Sequence, residues 1–281
     1  MTDIGRAKIG AYTALIQGRD GLMMFNWKDN FIGASLAAYG EYSYAEQELF
    51  AQLIKPTDIV IEAGSHIGTH TIGLSRMCKE LYAFEPQRLC FQMLCGNLAL
   101  AECQNVYAEQ KVVGAILGRT MAVPTPDPSL EGANTGGVIL PGVTEGEPVK
   151  TVTIDSLGLV PNFIKADVEE MEWDVVMGGL ETIERYHPIL YLESNHSHRR
   201  LVDLVVDLGY TPYWHLPPFY NPKNFFGVEE DIFKGMVSTN MLCLPEPRKI
   251  ANTYKINMQD PGLDQKKGEP FQLRYEREIA A

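Results

Sequence analysis

The residues with the clearest chemical potential form a glycine turn directly after an aliphatic stretch. Glu62, Gly64 and Gly68 follow the pattern E-x-G-x-x-x-G, whereas a dinucleotide fingerprint would read G-x-G-x-x-G. An acid two positions before the first glycine is badly placed for a diphosphate and well placed for a cationic amino group. S-adenosylmethionine carries an ammonium and a sulfonium, so the pattern favours this cofactor over NAD. Ser65 and His66, inside the turn, are predicted to contact it.

A second carboxylate follows at the spacing of a ribose ligand. Glu85 lies 21 positions after Gly64, at the end of a second predicted strand. A carboxylate there can accept hydrogen bonds from both ribose hydroxyls in nucleotide-binding folds. Glu85, Pro86 and Gln87 are therefore predicted cofactor contacts. The alternative is a surface acid that only marks a turn.

Two further acids, Asp167 and Glu193, each end a predicted strand later in the chain. Such ends open into the ligand crevice of a doubly wound sheet, where Asp167 is also expected to border the cofactor. Methyl transfer to an alcohol is an in-line displacement that also needs a base or a metal. The predicted catalytic residues are Asp167, Glu193 and His196. Asp167, Glu193 and Asn195 also resemble the oxygen ligands of metal-dependent O-methyltransferases, so a divalent metal such as Mg²⁺ is an open but unfavoured alternative.

Other histidines offer alternative bases. His66 could touch either the cofactor or the acceptor. His70, on the following helix, is expected to pack or to cap that helix, and His215, in an aromatic strand, is expected to be a satisfied core residue. The sequence does not choose between His196 and the strand-end acids.

Alternating strand and helix patterns must position these residues. Strands are predicted over residues 59–61, 81–84, 105–116, 162–166 and 189–192. Helices are predicted over residues 69–78, 88–101, 172–186 and 201–208, after an earlier helix with a capping box at Ser43 and Glu46. This alternation predicts an α/β fold with a parallel sheet and helices on both faces. The last two strands, YTPYWHL and MVSTNMLCLP, lack a connecting helix and are expected to pair antiparallel.

The chain is predicted to contain one main domain and smaller flanking segments. Residues 1–45 form a small N-terminal cap or lid, and residues 46–250 form the main domain. Residues 118–149, rich in proline and glycine, are predicted to be a loop and β insertion within that domain. Residues 251–281 are expected to be a loosely attached tail.

Composition and charge exclude several classes of protein. Of the 281 residues, 45% are apolar and 21% charged, as in ordinary globular domains. A net charge of -12 disfavours a broad nucleic-acid surface. The five cysteines show no CxxC spacing, and no run reaches the ~20 apolar residues of a membrane span. We therefore expect a cytoplasmic protein without a nucleic-acid partner; a homo-oligomer is left open.

Four stretches, VIEAGSHIGTHT, YAFEPQRLCFQMLCGNLAL, FIKADVEEMEWDVVMGG and ILYLESN, together resemble the FkbM family of S-adenosylmethionine-dependent methyltransferases. The resemblance extends from the segment YGEY to the strand NMLCLP. It implies a class I methyltransferase (Rossmann-like) fold of about seven strands with the last antiparallel, and O-methylation in many members. It also implies that Tyr39 and Glu41 cover the methionine end of the cofactor. Glu62 stands where aspartate is common, and Glu170 replaces the glycine of the family pattern DVEG, which affects the local turn.

Aromatic residues are interleaved with asparagines in the loop PPFYNPKNFFGVEEDIF. Phe219, Tyr220 and Phe225 suit stacking on a sugar or polyketide ring, and with Glu169 and Asn195 they are the predicted acceptor contacts; packing of the loop onto the domain is the alternative. The sequence thus predicts an S-adenosylmethionine-dependent O-methyltransferase for a hydroxyl of a sugar, glycan or small natural product. A nicotinamide-dependent oxidoreductase and a methyltransferase-like binding protein without catalysis are the alternatives.

Overall fold

The N-terminal unit is a small antiparallel sheet followed by two helices. The computed structural model describes residues 6–194 and 198–256. The sheet pairs its strands in sequence order, β1 (Arg6–Lys8), β2 (Thr13–Gly18) and β3 (Gly21–Asn26). The helices are α1 (Ile32–Tyr39) and α2 (Tyr44–Leu53). Ser43 precedes α2, but its hydroxyl donates to the Glu46 carboxylate at 2.7 Å and does not cap the helix backbone, so the predicted capping box is wrong.

The first half of the main domain alternates strand and helix as predicted. In chain order it contains β4 (Ile59–Ala63), α3 (Thr71–Met77), β5 (Glu80–Phe84), α4 (Arg88–Leu100) and β6 (Val106–Glu109). The three strands are parallel. The strand predicted over 105–116 ends earlier, because the backbone N–H of Lys111 turns back to the carbonyl of Glu109.

The insertion forms a second small sheet and then crosses towards the N-terminal unit. Its strands are β7 (Val112–Val113), β8 (Thr120–Val123) and β9 (Glu147–Val152), in the spatial order β7-β9-β8. The segment between β8 and β9 bridges to the N-terminal unit, where the Asn30 N–H donates to the Ala133 carbonyl at 3.0 Å. This part of the chain therefore consists of short strands and irregular loops.

The second half of the main domain completes the central sheet. It contains β10 (Phe163–Ala166), α5 (Glu172–Met177), α6 (Leu180–Tyr186), β11 (Ile189–Glu193), α7 (His198–Asp207), β12 (Thr211–His215), β13 (Asn240–Leu244) and β14 (Thr253–Lys255). The spatial order is β14-β12-β13-β11-β10-β4-β5-β6. β13 is antiparallel to both of its neighbours. The predicted α/β sheet with an antiparallel last strand is confirmed, and β14 adds an eighth strand at its edge.

Two boundaries differ from the prediction. The helix predicted over 172–186 is divided into α5 and α6 at Gly178 and Gly179. The chain passes close to another segment there, since a Cβ at Gly178 would lie 2.1 Å from the Gly114 carbonyl oxygen. The segment predicted as a loose tail begins with β14, which pairs antiparallel with β12. Residues 257–281 of that segment lie outside the described chain.

Apolar side chains cover both faces of the central sheet. Ile61 and Ile164 belong to the core on one face, and Val60 and Phe163 to the core on the other. Strands buried on both faces explain the continuous aliphatic runs of the sequence. Because β4, β5, β10 and β11 are parallel, their carboxyl ends meet at one edge, which positions the predicted site residues.

Among the described residues, no helix has the length and apolar character needed to cross a membrane. The cytoplasmic location stays a prediction.

Candidate active site

The glycine turn lies at the edge of the sheet where the strand order reverses. From β4 the chain proceeds outwards through β5 and β6, and it then returns to β10 on the other side of β4. In doubly wound sheets this switch point forms the ligand crevice. Five predicted cofactor residues line a cavity at this place, namely Gly64, Glu85, Pro86, Gln87 and Asp167. The structure therefore brings the two parts of the predicted cofactor site together.

Glu85 is fixed in this crevice by the backbone. Its Oε2 accepts a hydrogen bond from the N–H of His66, and its Oε1 accepts one from the N–H of Gln87, both at 2.8 Å. The side chain is buried, and burial raises its pKa to about 7 although both hydrogen bonds lower it. Each carboxylate oxygen retains a further lone pair, so Glu85 can accept hydrogen bonds from a diol.

The two glycines of the turn permit close packing. Gly64 has φ +83°, and a Cβ there would lie 1.8 Å from the carbonyl oxygen of Asp167. Because glycine has no Cβ, the turn after β4 can pass this close to the residue that follows β10. Gly68 has φ +92°, and a Cβ would meet Leu94 of α4 at 2.9 Å, so the absence of a side chain lets α4 pack closely against the turn. Ser65 is buried and its hydroxyl donates to the Glu62 carbonyl at 3.4 Å, so it stabilises the turn from within.

Glu62 faces protein groups beneath the turn and does not line the cavity. Its Oε2 accepts a hydrogen bond from the Thr71 hydroxyl at 2.6 Å, and its Oε1 lies 3.9 Å from the Lys165 ammonium. Burial raises the pKa of Glu62, while Lys165 lowers it. The predicted contact with a cationic amino group would therefore need the carboxylate to leave these partners.

Lys165 links the two ends of the site electrostatically. It is 2% exposed, and its ammonium lies 3.2 Å from Asp167 Oδ2. Burial alone would lower the pKa of Lys165, but the surrounding carboxylates, with Asp167 the strongest, raise it above its ordinary value. Lys165 is absent from the predicted site. The signal that could have found it is a lysine within the apolar strand FIKA.

The strand-end acids form a carboxylate cluster. Oxygen atoms of Asp167, Glu169 and Glu193 lie within 4.8 Å of one another. Burial and the neighbouring carboxylates raise the pKa of Glu193 well above its ordinary value. Burial also acts to raise the pKa of Asp167, but Lys165 outweighs it and the pKa is lowered. The two shifts have opposite directions: burial and the neighbouring carboxylates favour the protonated form of Glu193, and Lys165 favours the ionised form of Asp167. Asn195 and His196 lie outside the described residues.

His66, in the glycine turn, and His70, just after it, contact different parts of the molecule. His66 hydrogen-bonds through Nε2 to the Thr135 hydroxyl of the insertion at 2.9 Å. His70 is buried, with ring centroids 5.8 Å from Tyr42 and 5.9 Å from Phe50, and its Nε2 has no hydrogen-bond partner among the described residues. Burial and the Lys165 charge lower the pKa of His70 to about 3, so its ring is neutral.

His215 lies in the core beneath the site. It is 3% exposed, and its Nδ1 is 2.8 Å from the hydroxyl of Tyr191. Burial lowers its pKa to about 4. It is therefore a satisfied core residue, as expected from its position in an aromatic strand.

The segment YGEY binds the aromatic loop, which we define as residues 217–233. The Tyr39 hydroxyl accepts a hydrogen bond from the N–H of Ile232 at 2.8 Å. The Glu41 carboxylate accepts hydrogen bonds from the Asn221 amide at 2.8 Å and from the N–H of Phe225 at 2.9 Å. Neither Tyr39 nor Glu41 lines the cofactor cavity. Their polar groups thus hold the loop, although the resemblance implies a position over the cofactor.

The three predicted aromatic contacts have different environments. The Phe219 ring lies 5.9 Å from Tyr42, whose pKa is raised by burial and then by nearby carboxylates led by Asp167. The Tyr220 hydroxyl donates to backbone carbonyls of its own loop. Phe225 is 46% exposed and packs against the neighbouring Phe226 ring. Phe219 alone of the three is therefore connected through Tyr42 to the carboxylate cluster.

Several solved structures resemble this chain at low sequence identity. An FkbM methyltransferase from Methylobacillus flagellatus KT is 17% identical with a TM-score of 0.45, and the match covers 70% of this chain and 50% of that one. The putative methyltransferase SMU.1697c from Streptococcus mutans, in complex with S-adenosylhomocysteine, is 13% identical with a TM-score of 0.40 over 72% and 97% of the chains. TYW2 from M. jannaschii, in complex with S-adenosylmethionine, is 10% identical with a TM-score of 0.44 over 84% and 87%.

The family is shown by the sequence match. The chain spans half the length of the FkbM structure, and the three TM-scores lie below 0.5. No curated protein has a significantly similar sequence. The model of the methyltransferase FkbM domain, however, matches residues 62–212, just over half of the chain, and includes Glu62, Glu85, Asp167 and Glu193. The chain belongs to the FkbM methyltransferase family.

Proposed function

We propose that this methyltransferase uses S-adenosylmethionine to methylate a hydroxyl of a sugar, glycan or small natural product. The observation that carries the proposal is Glu85, a buried carboxylate with both oxygens held by backbone N–H groups at the switch point of the sheet. Membership of a methyltransferase family favours this reaction over the nicotinamide-dependent and non-catalytic alternatives.

The cofactor contacts follow from the lining of the crevice. Glu85 accepts hydrogen bonds from the ribose hydroxyls, and Gly64, Pro86, Gln87 and Asp167 form the surrounding wall. Bound S-adenosylmethionine supplies an electrophilic methyl group. The half-buried carboxylates of Asp167 and Glu169 provide negative charge that complements a cationic cofactor.

The acceptor side must hold a hydroxyl and receive its proton. The Lys165 ammonium, 3.2 Å from Asp167, favours the ionised form of this acid, so its carboxylate can accept that proton. The raised pKa of Glu193 favours its protonated form, which would be a hydrogen-bond donor beside Asp167. Glu169 and Phe219 complete our proposed acceptor contacts, whereas Tyr220 and Phe225 hold the loop. The roles predicted for Asn195 and His196 stay predictions.

A divalent metal is not required in this proposal. The carboxylate cluster offers oxygen ligands of the kind that Mg²⁺ prefers, but the Lys165 ammonium already lies 3.2 Å from Asp167. We expect turnover to survive exhaustive treatment with EDTA. A tenfold loss that Mg²⁺ restores would contradict this part of the proposal.

Calorimetric titration with S-adenosylhomocysteine and with NAD tests the cofactor. We expect binding of the former and no binding of the latter, and the reverse result would reject the proposed function. A screen of candidate acceptors with labelled S-adenosylmethionine, followed by mass analysis of the product, then tests the acceptor class. Methyl groups found only on nitrogen would reject O-methylation.

A further inference from the structure

The insertion forms one wall of the cofactor crevice. Gly136, Val138 and Leu140 line the same cavity as Glu85. Val138 and Leu140 belong to an apolar cluster with Val112, at the end of the opposite wall. The cavity therefore combines an apolar slot with a neighbouring carboxylate, which is the chemistry of an adenine ring joined to a ribose.

Thr135 holds this wall in place. Its N–H and its hydroxyl both donate to Asp29 Oδ2 at 3.0 Å, so the insertion is bonded to the N-terminal unit. Its carbonyl accepts a hydrogen bond from Gln87 Nε2 at 2.7 Å. Because the Thr135 hydroxyl hydrogen goes to Asp29, His66 Nε2 is the donor in the 2.9 Å contact with the Thr135 oxygen. All four residues are buried.

The same two residues that bind Thr135 also fix the ribose carboxylate. The backbone N–H groups of His66 and Gln87 are the donors to Glu85, and their side chains are the donors to Thr135. The position of the insertion is thereby coupled to the position of Glu85. A buried network of this kind stays ordered only when each member has its partners.

We propose that residues 134–140 form the outer wall of an adenosine subsite and that Thr135 is the residue that positions this wall against Glu85. The inference rests on the proposed function, because it assigns the crevice to the adenosyl half of the cofactor. It adds binding residues from outside the glycine turn, and it gives the insertion and Asp29 a role in holding the cofactor.

The test compares Thr135→Val with Thr144→Val, a substitution of an exposed threonine in the same insertion. Each protein is titrated with S-adenosylhomocysteine and with 5′-methylthioadenosine, which keeps the adenosyl group and lacks the amino-acid end. We expect Thr135→Val to weaken both ligands by the same factor, about tenfold or more, because a buried network loses a member. Thr144→Val should stay within about twofold of the wild type.

Unchanged binding of both ligands by folded Thr135→Val would overturn the inference, as would weakening of S-adenosylhomocysteine alone. Thermal unfolding of each variant shows whether the protein is folded. If Thr135→Val does not fold, Val138→Ala decides, since it leaves the Thr135 hydrogen bonds intact and removes part of the apolar wall; we expect about threefold to tenfold weaker binding of both ligands. A wild type that binds neither ligand would reject the proposed function itself.

Discussion

The glycine turn and Glu85 of the proposed cofactor side come from one short stretch of chain, whereas the proposed acceptor side gathers residues from three later segments. Residues 62–87 supply the glycine turn and Glu85, where backbone N–H groups fix the carboxylate. The proposed acceptor side gathers Asp167, Glu193 and Phe219 from the ends of two strands and from the aromatic loop. There the carboxylate oxygens of the cluster lie within 4.8 Å of one another, and the buried Lys165 ammonium lies 3.2 Å from Asp167. The first side is thus held by backbone geometry, and the second by a balance of charge between half-buried carboxylates and a buried ammonium.

This difference determines how each side should respond to substitution. Backbone geometry depends on the conformations that individual residues allow, so single glycines are critical on the cofactor side. A balance of buried charge depends on every member, so the loss of one leaves the others uncompensated. Lys165 lies 3.9 Å from Glu62 and 3.2 Å from Asp167, and therefore connects the two sides.

Replacement of Lys165 with methionine should have the largest effect. It leaves Glu62 and Asp167 without their buried cation, and we expect the free energy of unfolding to fall by about 3–5 kcal/mol. Chemical denaturation measures the change. Lys150→Met, at an exposed lysine, is the matched control and should cost less than about 0.5 kcal/mol. A loss below about 1 kcal/mol for Lys165→Met would mean that the two sides are not joined by charge.

Gly64→Ala should come next and act on the cofactor side. The left-handed backbone and the contact with the Asp167 carbonyl together should lower the free energy of unfolding by about 3 kcal/mol. Gly142→Ala separates the two causes, because Gly142 has nearly the same φ, +81°, and no atom near its Cβ position. We expect about 1 kcal/mol for this control. Equal losses in the two variants would show that the close contact at Gly64 is unimportant.

The fold and the proximity of Gly64 to Glu85 could be predicted because their signals are local. Aliphatic runs such as DIVIEA indicate buried strands, and the spacing from Gly64 to Glu85 spans one strand–helix–strand unit. The close approach of Gly178 to the Gly114 carbonyl, where the predicted helix is divided, has no signal in helical periodicity, since it joins two segments far apart in the sequence. The position of β14 likewise depends on pairing with β12, which no local pattern of three residues indicates.

The rest of the site depends on contacts between distant segments. The partners of Glu62 could not be predicted, because Lys165 approaches it from a neighbouring strand 103 positions later in the chain. Thr135 lies in an irregular insertion whose sequence has no periodicity, so its contacts with Asp29 and His66 have no sequence signal. Tyr39 and Glu41 were placed by family resemblance alone, and their hydrogen bonds instead go to the aromatic loop.

Stability should fall as the pH rises, through two buried acids, Glu85 in the crevice and Glu172 in α5. Burial raises the pKa of Glu85 and of Glu172, whose Oε1 accepts a hydrogen bond from the Val168 N–H, from 4.5 to about 7. Between these values the folded protein binds more protons than the unfolded chain. Stability from these groups is therefore fully present below pH 4.5 and is lost as the pH rises through about 7.

Glu172→Gln tests the contribution of Glu172 to this effect. The amide keeps an acceptor for Val168 but cannot ionise, so the loss of stability between pH 5 and pH 8 should shrink by about 2 kcal/mol. Denaturant titrations at several pH values measure the slope. Glu184→Gln, on the exposed face of α6, is the control and should leave the slope unchanged. A steeper slope in Glu172→Gln would contradict the direction of the pKa shift.

The smallest effect should come from Glu170→Gly, in the turn that follows Asp167. Glu170 has φ +75°, a conformation that glycine adopts without the steric cost of a Cβ. The family glycine at this position therefore suits the observed backbone, and its replacement by glutamate stores strain beside the carboxylate cluster. We expect the substitution to raise the free energy of unfolding by about 1 kcal/mol. Glu184→Gly, in a helix with ordinary backbone angles, should instead lower it by about 1 kcal/mol. Thermal and chemical denaturation measure both changes. Equal destabilisation by the two glycine substitutions would show that contacts of the Glu170 side chain stabilise the turn after Asp167 by more than its backbone conformation costs.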